Sequence, residues 1–307
     1  MPSMNPNSVW ASLARRHEIV FIVALGLLPL LMFVPGLWHG TTSFFVWPDA
    51  REQTYAWWQK LAQCWQLGYL PLWDANTFSG HSFAGEFQAG VFYPLGWLWL
   101  LIWSNTGGMP VAALDAFVVL HFVIAVTGMS VLLRSWGLGR LASASGAVMF
   151  ALIGPVAVRA AEQPNIFFGL CWMPWALFAA SKHLGNGRSR DAALAGAVVA
   201  VQVLAGHVQP AFHTTIMIAA MVVAYHWRTG THWRASLAAS LRSAIPMIVV
   251  LLLLAAPQWI LSLQYLHDTY RWVGADAPIG SGERVPYAVF AFRYIFEPSD
   301  LPSLIDP

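Results

Sequence analysis

The chain has 307 residues, of which 58% are hydrophobic and only 10% charged, with a mean hydropathy of +0.57. Soluble domains carry about 25% charged residues, so this composition excludes a soluble globular domain and implies an integral membrane protein with several spans. A net charge of +2 gives no reason to expect a nucleic-acid partner, and 17 tryptophans predict anchoring at the headgroup level of the bilayer.

Residues 1–18 read as a cytoplasmic N-terminus ending in the basic pair Arg15 and Arg16. Residues 19–38 are apolar and long enough to cross. No small-x-small cleavage site follows them, so they are expected to be an uncleaved first transmembrane helix with its N-terminus inside. Residues 39–110 then form a large extracytoplasmic loop. Within it, Tyr55, Trp58, Ala62 and Trp65 recur at helical spacing over residues 51–67, which predicts an amphipathic helix suited to the interface. Gly68 ends that helix, Pro71 keeps residues 70–73 extended, and residues 79–81 and 84–86 are turn-like.

Residues 91–103 are apolar but too few to cross easily, and whether they cross sets the topology of all that follows. If they do not cross, ten Lys/Arg lie inside and six outside; in the short loops the division is eight to one, the one being Arg159. That bias has the correct sign, so residues 91–103 are expected to be re-entrant or interfacial. Residues 111–266 then hold six further transmembrane helices, over 111–133, 144–158, 166–180, 192–206, 212–227 and 244–266. The polar residues 267–307 form an extracytoplasmic C-terminal segment. The expected fold is an all-α integral membrane protein of about seven transmembrane helices, with interfacial helices in its first outer loop. Of the 14 acidic residues only Glu18 and Asp191 fall inside on this map.

The outer face therefore holds the candidate chemistry. Asp49 follows the first span closely, and a carboxylate at the membrane surface is a functional hypothesis by default. Its alternative is an N-cap, with Glu52 completing a capping box. Glu86, in a turn-like segment beside Gln88, is either an acid/base group or a solvated loop carboxylate. Arg159 either pairs with Glu162 or meets a phosphate at the outer leaflet. His207 and Gln209 lie in a Gly-His-Val-Gln-Pro turn, where the imidazole is either a proton carrier or a helix cap. Cys64 and Cys171 read as packing residues, with neither disulfide nor metal expected from them. No Gly-rich phosphate cradle, HExxH or GxSxG is present.

Asp49 with Gln53 and the stretch LGYLPLWDANTFSGHSFAGEFQAGVFYPLGWL resemble the first outer loop of the bacterial YfhO-type membrane proteins. GAVMFALIGPVAVRAAEQPNIFFGLCWMPWALFA resembles that family's next helix pair, and AGHVQPAFH its Gly-His-x-Gln turn. The resemblance implies a fold like that of C-type glycosyltransferases, which take sugar from a polyprenyl-phosphate carrier and transfer it outside the cytoplasm. It places the catalytic carboxylate at Asp49, acting as general base. Arg159 or Arg51 would neutralise the carrier phosphate. Glu86 and Gln88 match one part of the family pattern and His207 and Gln209 its later turn, with no role assigned to them there; all four are expected to bind substrate. Some members of the superfamily use a divalent cation, and Asp49 and Glu86 are the carboxylates that would share one. The chain reads as a short or truncated member, and the stretch from Arg159 to Gln163 replaces a histidine common in that loop. The expected partners are the lipid bilayer and a polyprenyl-phosphate-linked sugar donor, and the expected location is a multi-pass cell-membrane protein with its active face extracytoplasmic. A non-catalytic scaffold or subunit of a cell-envelope complex is the alternative; a transporter fits less well, since the spans hold almost no charge.

Overall fold

The computed structural model describes residues 6–40, 43–103, 108–229, 233–271 and 279–280, with side chains described from residue 16 onward and not at Arg271 or residues 279–280. Most of the expected C-terminal segment 267–307 lies outside the described residues. Of the described residues 79% are helical, and the only strands among them are two-residue pairs. The all-α expectation stands.

Helices α1 (Pro6–Gly26) and α2 (Leu28–Trp38) supply an apolar stretch over Arg16–Trp38. A π-helical turn (Asp49–Tyr55) runs into α3 (Ala56–Gln66). After Leu67, Gly68 takes a left-handed φ of +78°, which ends the helix where the sequence places its stop. The hairpin β1 (Trp73–Asp74) and β2 (His81–Ser82) pairs Trp73 with Ser82 and Asp74 with His81. A 3₁₀ turn (Phe87–Ala89) leads to α4 (Pro94–Trp103), whose ten residues span only about 15 Å. That is half a hydrocarbon core, so α4 does not cross alone.

The remaining helices are α5 (Val111–Ser135), α6 (Arg140–Leu152), α7 (Gly154–Glu162), α8 (Pro164–Leu170), α9 (Met173–Asn186), α10 (Ser189–Leu204), α11 (Val208–Thr229) and α12 (Trp233–His267). Four stretches among the described residues are long and apolar enough to cross a membrane: residues 16–38, α5, α11 and α12. The pair α6 and α7, bent by 42° at Ile153, makes a fifth if counted as one span. Ile153 is extended and Pro155 follows, so the helical ladder breaks there. Helices α9 and α10 have 14 and 16 residues, about 21 and 24 Å, short of the roughly 30 Å core. By length and composition the count is four or five, where the sequence runs suggest about seven.

Helix α5 is the central pillar. Of its apolar stretch 56% is buried, against 28% or less for the other three. Phe117 and Phe168 pack on Trp58 of α3, so the apolar face of the amphipathic helix is covered by protein. At the centre, the Tyr93 hydroxyl lies 2.6 Å from His121 Nε2 and accepts from Trp172 Nε1 at 2.8 Å, so this buried polar chain is satisfied. A second core joins α9 to α12. There Gly196 lets α10 approach the backbone of α12: a Cβ at this position would stand 2.1 Å from the Met247 carbonyl oxygen. Both cysteines are buried and free, in keeping with packing roles.

The segment 43–103 caps one end of the bundle. Asp115, at the start of α5, accepts from the Phe44 amide (2.8 Å) and the Ser43 hydroxyl (3.1 Å). Gln258 near the end of α12 donates to the Ala84 carbonyl (3.1 Å), and Ser262 donates to that of Gly85 (2.9 Å). Gly206, after α10, has a left-handed φ of +107° and sits so close that a Cβ would be 2.9 Å from the Gln88 carbonyl oxygen. Elsewhere, Glu18 of α1 pairs with Arg134 and with Arg140 at the α5–α6 corner.

Candidate functional site

A large polar hollow lies in this cap. It is a cavity of about 880 Å³ between the helix that starts at Asp49 and the β1–β2 hairpin. The helix side brings Asp49, Glu52, Gln53, Gln59, Lys60 and Gln63 to its wall; the hairpin side brings Asp74, Asn76, Thr77, His81 and Glu86. Tyr55, Trp57, Phe78 and Phe83 add aromatic surface. Carboxylates, amides and aromatic rings around one hollow suit a polyhydroxylated ligand: the first two hydrogen-bond hydroxyls, and the rings cover C–H faces.

Asp49 is exposed on this wall. It does not cap its own helix. Pro48 before it already has helical dihedrals (φ −52°, ψ −51°), and the terminus has no side-chain cap. An N-cap needs an extended residue whose oxygen turns back to the N2 or N3 amide, and the wide π turn does not offer that geometry. The capping-box reading is therefore set aside. Instead Asp49 Oδ2 accepts from Gln163 Nε2 at 3.2 Å, across 114 residues of sequence. Gln163 stands at the break between α7 and α8, and its Oε1 accepts from Arg159 Nη1. Arg159 also lies 3.9 Å from Glu162, a weak i,i+3 pair.

Glu86 is half-buried, and its Oε1 accepts from the Gln88 amide at 3.3 Å, which caps the 3₁₀ turn. It is thus a docked loop carboxylate on the cavity wall, not a solvated one. Gln88 Oε1 accepts from Asn165 Nδ2 at 3.4 Å. His207 sits in the turn between α10 and α11, and its Nδ1 accepts from the Gln209 amide at 3.2 Å. It caps the start of α11. Burial, with the charge of nearby Arg159, holds the His207 imidazole below its ordinary pKa, so the neutral form that can accept this bond is favoured. The Gln209 side chain is exposed. Arg51 pairs with its neighbour Glu52 at 2.9 Å and is 61% exposed; it is not on the cavity wall. Among the expected residues, then, Asp49 and Glu86 share the cavity. Arg159 is joined to it through Gln163, and Gln88 through its neighbour Glu86. His207 and Gln209 belong to the adjoining turn.

The lysine–aspartate pair on the hairpin side is absent from the sequence reading. Lys60 Nζ donates to Asp74 Oδ1 at 3.0 Å, and the Asn76 amide (3.0 Å) and Thr77 hydroxyl (3.1 Å) complete the Asp74 shell. Burial pushes the Asp74 carboxyl up, but the Asn76, Lys60 and Thr77 donors together outweigh it and hold the group below its ordinary pKa. His81 Nε2 meets the Thr77 hydroxyl at 2.8 Å. The hairpin tip carries Phe78 and Ser79 in the left-handed region (φ +52° and +63°), uncommon for residues with a Cβ. The signal available in sequence was the fourteen-residue spacing of Lys60 and Asp74 in one polar loop, which no local periodicity rule connects.

No family model, curated protein or solved structure matches this chain. Among the described residues no group of three or more His, Cys, Asp or Glu side chains is placed to hold a metal ion. Glu52, Asp74 and His81 share the cavity wall with Asp49 and Glu86, but no three of these are grouped closely enough to hold an ion.

Proposed function

We propose that this is a membrane glycosyltransferase-like enzyme that moves a sugar from a polyprenyl-phosphate carrier to an extracytoplasmic acceptor. One observation carries the reading. The Asp49 carboxylate stands on the wall of a polar, aromatic-lined cavity at one end of an apolar helix bundle, held by a distant side chain and not engaged as a helix cap. The distribution of basic residues orients that end outward, with the N-terminus in the cytoplasm. On this reading α8 with α9, and α10, complete a set of seven crossings.

The chemistry assigned to these groups is an in-line displacement. Asp49 takes the proton of the acceptor hydroxyl as that oxygen bonds to the anomeric carbon, and the bond from that carbon to the carrier phosphate breaks. The carrier leaves as its phosphate, and the Arg159 guanidinium, next to the support of Asp49, offsets the developing charge. Glu86 on the cavity wall, with Gln88 beside it in sequence, is assigned to substrate binding.

The test is sugar transfer in liposomes holding the purified protein and a labelled polyprenyl-phosphate sugar. D49N should lower the rate by about 10²-fold or more while detergent-solubilised stability is unchanged. Full activity in D49N overturns the assignment. No transfer and no carrier-lipid binding by the wild-type protein, with a second membrane protein co-purifying, supports the scaffold alternative instead.

A further inference from the structure

We infer that Gln163 is a positioning residue for Asp49, fixing one carboxylate oxygen and leaving the other to the cavity. The inference rests on the reading of Asp49 as the base. Its starting point is the chemistry of an amide held between two charged groups. A guanidinium has only donors, so the end of the Gln163 amide that meets Arg159 must be its oxygen. The nitrogen is then left for the carboxylate, and a carboxylate only accepts. Arg159 thereby decides which way the amide points.

The backbone of Gln163 is equally constrained. Its N–H donates to the Arg159 carbonyl at 3.0 Å, and its own carbonyl accepts from Ile166 (2.9 Å) and Phe167 (3.3 Å). Pro164 opens α8 directly after it. Two residues on, Asn165 is 4% exposed, uses its Oδ1 on the Ile166 amide and its Nδ2 on Gln88. One turn therefore holds both ends of the cap: the Asp49 carboxylate through Gln163 and the Gln88 amide through Asn165. A freely moving surface glutamine would show neither the double backbone tie nor the directed amide.

The arrangement has a consequence for the base. A guanidinium bound directly to Asp49 would stabilise the anion and weaken it as a proton acceptor. The neutral amide inserts one side chain between the two charges. It orients the carboxylate while holding the Arg159 guanidinium on its own far end. The other charged or titratable groups around Asp49 are Arg51 and Glu52 on its own turn, Tyr55, Lys60, Asp74, His81 and Glu86 on the cavity wall, and Glu162 beside Arg159.

Q163E tests this with a change of one atom. It sets a second carboxylate against Asp49, and two carboxylates sharing a site cannot both ionise easily. Q163M removes the donor at similar length and adds no charge. The readout is labelling of Asp49 by a carbodiimide, which reacts with protonated carboxyl groups, followed by mass spectrometry across pH on the purified full chain, with D49N as blank. The labelling midpoint of Asp49 should rise by about one pH unit or more in Q163E. In the transfer assay, kcat of Q163M should fall by about 10²-fold, and the acid limb of the Q163E pH profile should move up with the labelling midpoint. An Asp49 midpoint that Q163E does not move overturns the inference, whatever the transfer activity. A moved midpoint in a protein that transfers no sugar leaves the Gln163 contact standing and overturns the glycosyltransferase reading instead.

Discussion

Substituting Gln258 by Met separates the docking of the cap from the chemistry of its cavity. Gln258 is fully buried in α12, where Nε2 donates to the Ala84 carbonyl (3.1 Å) and to the Ser262 hydroxyl (2.8 Å). The Ser262 hydroxyl in turn donates to the Gly85 carbonyl (2.9 Å). Methionine has similar length and no donor, so Q258M removes one bond to a loop carbonyl and one support of a second. Each buried acceptor left short costs about 1–3 kcal/mol. Among the described residues Gln258 Oε1 accepts from no donor, so its removal recovers part of that cost. The net penalty should be about 1–2 kcal/mol, and it should fall on the cap and not on the bundle, because both acceptors belong to residues 84–85. Hydrogen exchange read by mass spectrometry is the assay. Exchange over residues 82–88 should speed up by about 5–30-fold, with little change in α5 or α9. Native-like protection of 82–88 in Q258M would refute the claim that these two side chains hold the cap. Faster exchange spread evenly over the bundle would refute its locality.

Two other perturbations test the fold around the site. The Asp74 carboxyl is held below its ordinary pKa in the folded state, so its contribution to stability is present above the unfolded value of about 3.9 and is lost as pH falls through the lower folded value. Thermal stability of the wild type should therefore fall below about pH 4, and D74N should cost about 1–3 kcal/mol at neutral pH while flattening that acid limb. G196V places side-chain atoms where a Cβ alone would already stand 2.1 Å from the Met247 carbonyl oxygen. The obstacle is backbone, so α10 and α12 must separate, at about 1–3 kcal/mol or more; gel filtration and thermal melting of the purified variant measure it.

The apolar helices, the shortness of α4, the polar cap and the helix stop at Gly68 are legible in the chain. Each is a local property: run length, composition, or a single residue with special dihedrals. The helix lengths are less legible. Apolar runs extend through breaks such as Ile153–Pro155, where hydropathy stays high and the hydrogen-bond ladder does not. The partners of the cap are not legible from local pattern at all, since Gln163 reaches Asp49 over 114 residues and Gln258 reaches Ala84 over 174. Gln258 nonetheless left a trace. An amide inside an apolar helix must find a polar partner, and the same holds for Gln202, which donates to the Gly169 carbonyl and Thr214 hydroxyl at 3.0 Å each. Uncharged polar residues within the spans, which a count of charges passes over, mark where the bundle is pinned.

Asp49 shows why the local rule for a carboxylate before a helix fails here. The capping box assumes that the chain enters the helix from an extended residue. Pro48 enters it already helical, and the turn that follows is π, with one residue more per closed ring than an α turn. The extra residue offsets the first turn from the phase of α3, so the spacing of Trp58 and Trp65 does not extrapolate back to residues 49–55. It also frees Asp49 from the amides at the start of the helix. A carboxylate so freed at the edge of a membrane bundle must be hydrated or bound by another donor. Gln163 supplies that donor from the one place where α7 and α8 are interrupted. The irregular turn and the broken helix pair are thus two halves of a single arrangement. Restoring α-helical geometry at residues 49–55 by deleting one residue would return Asp49 to its own helix terminus and leave Gln163 facing water.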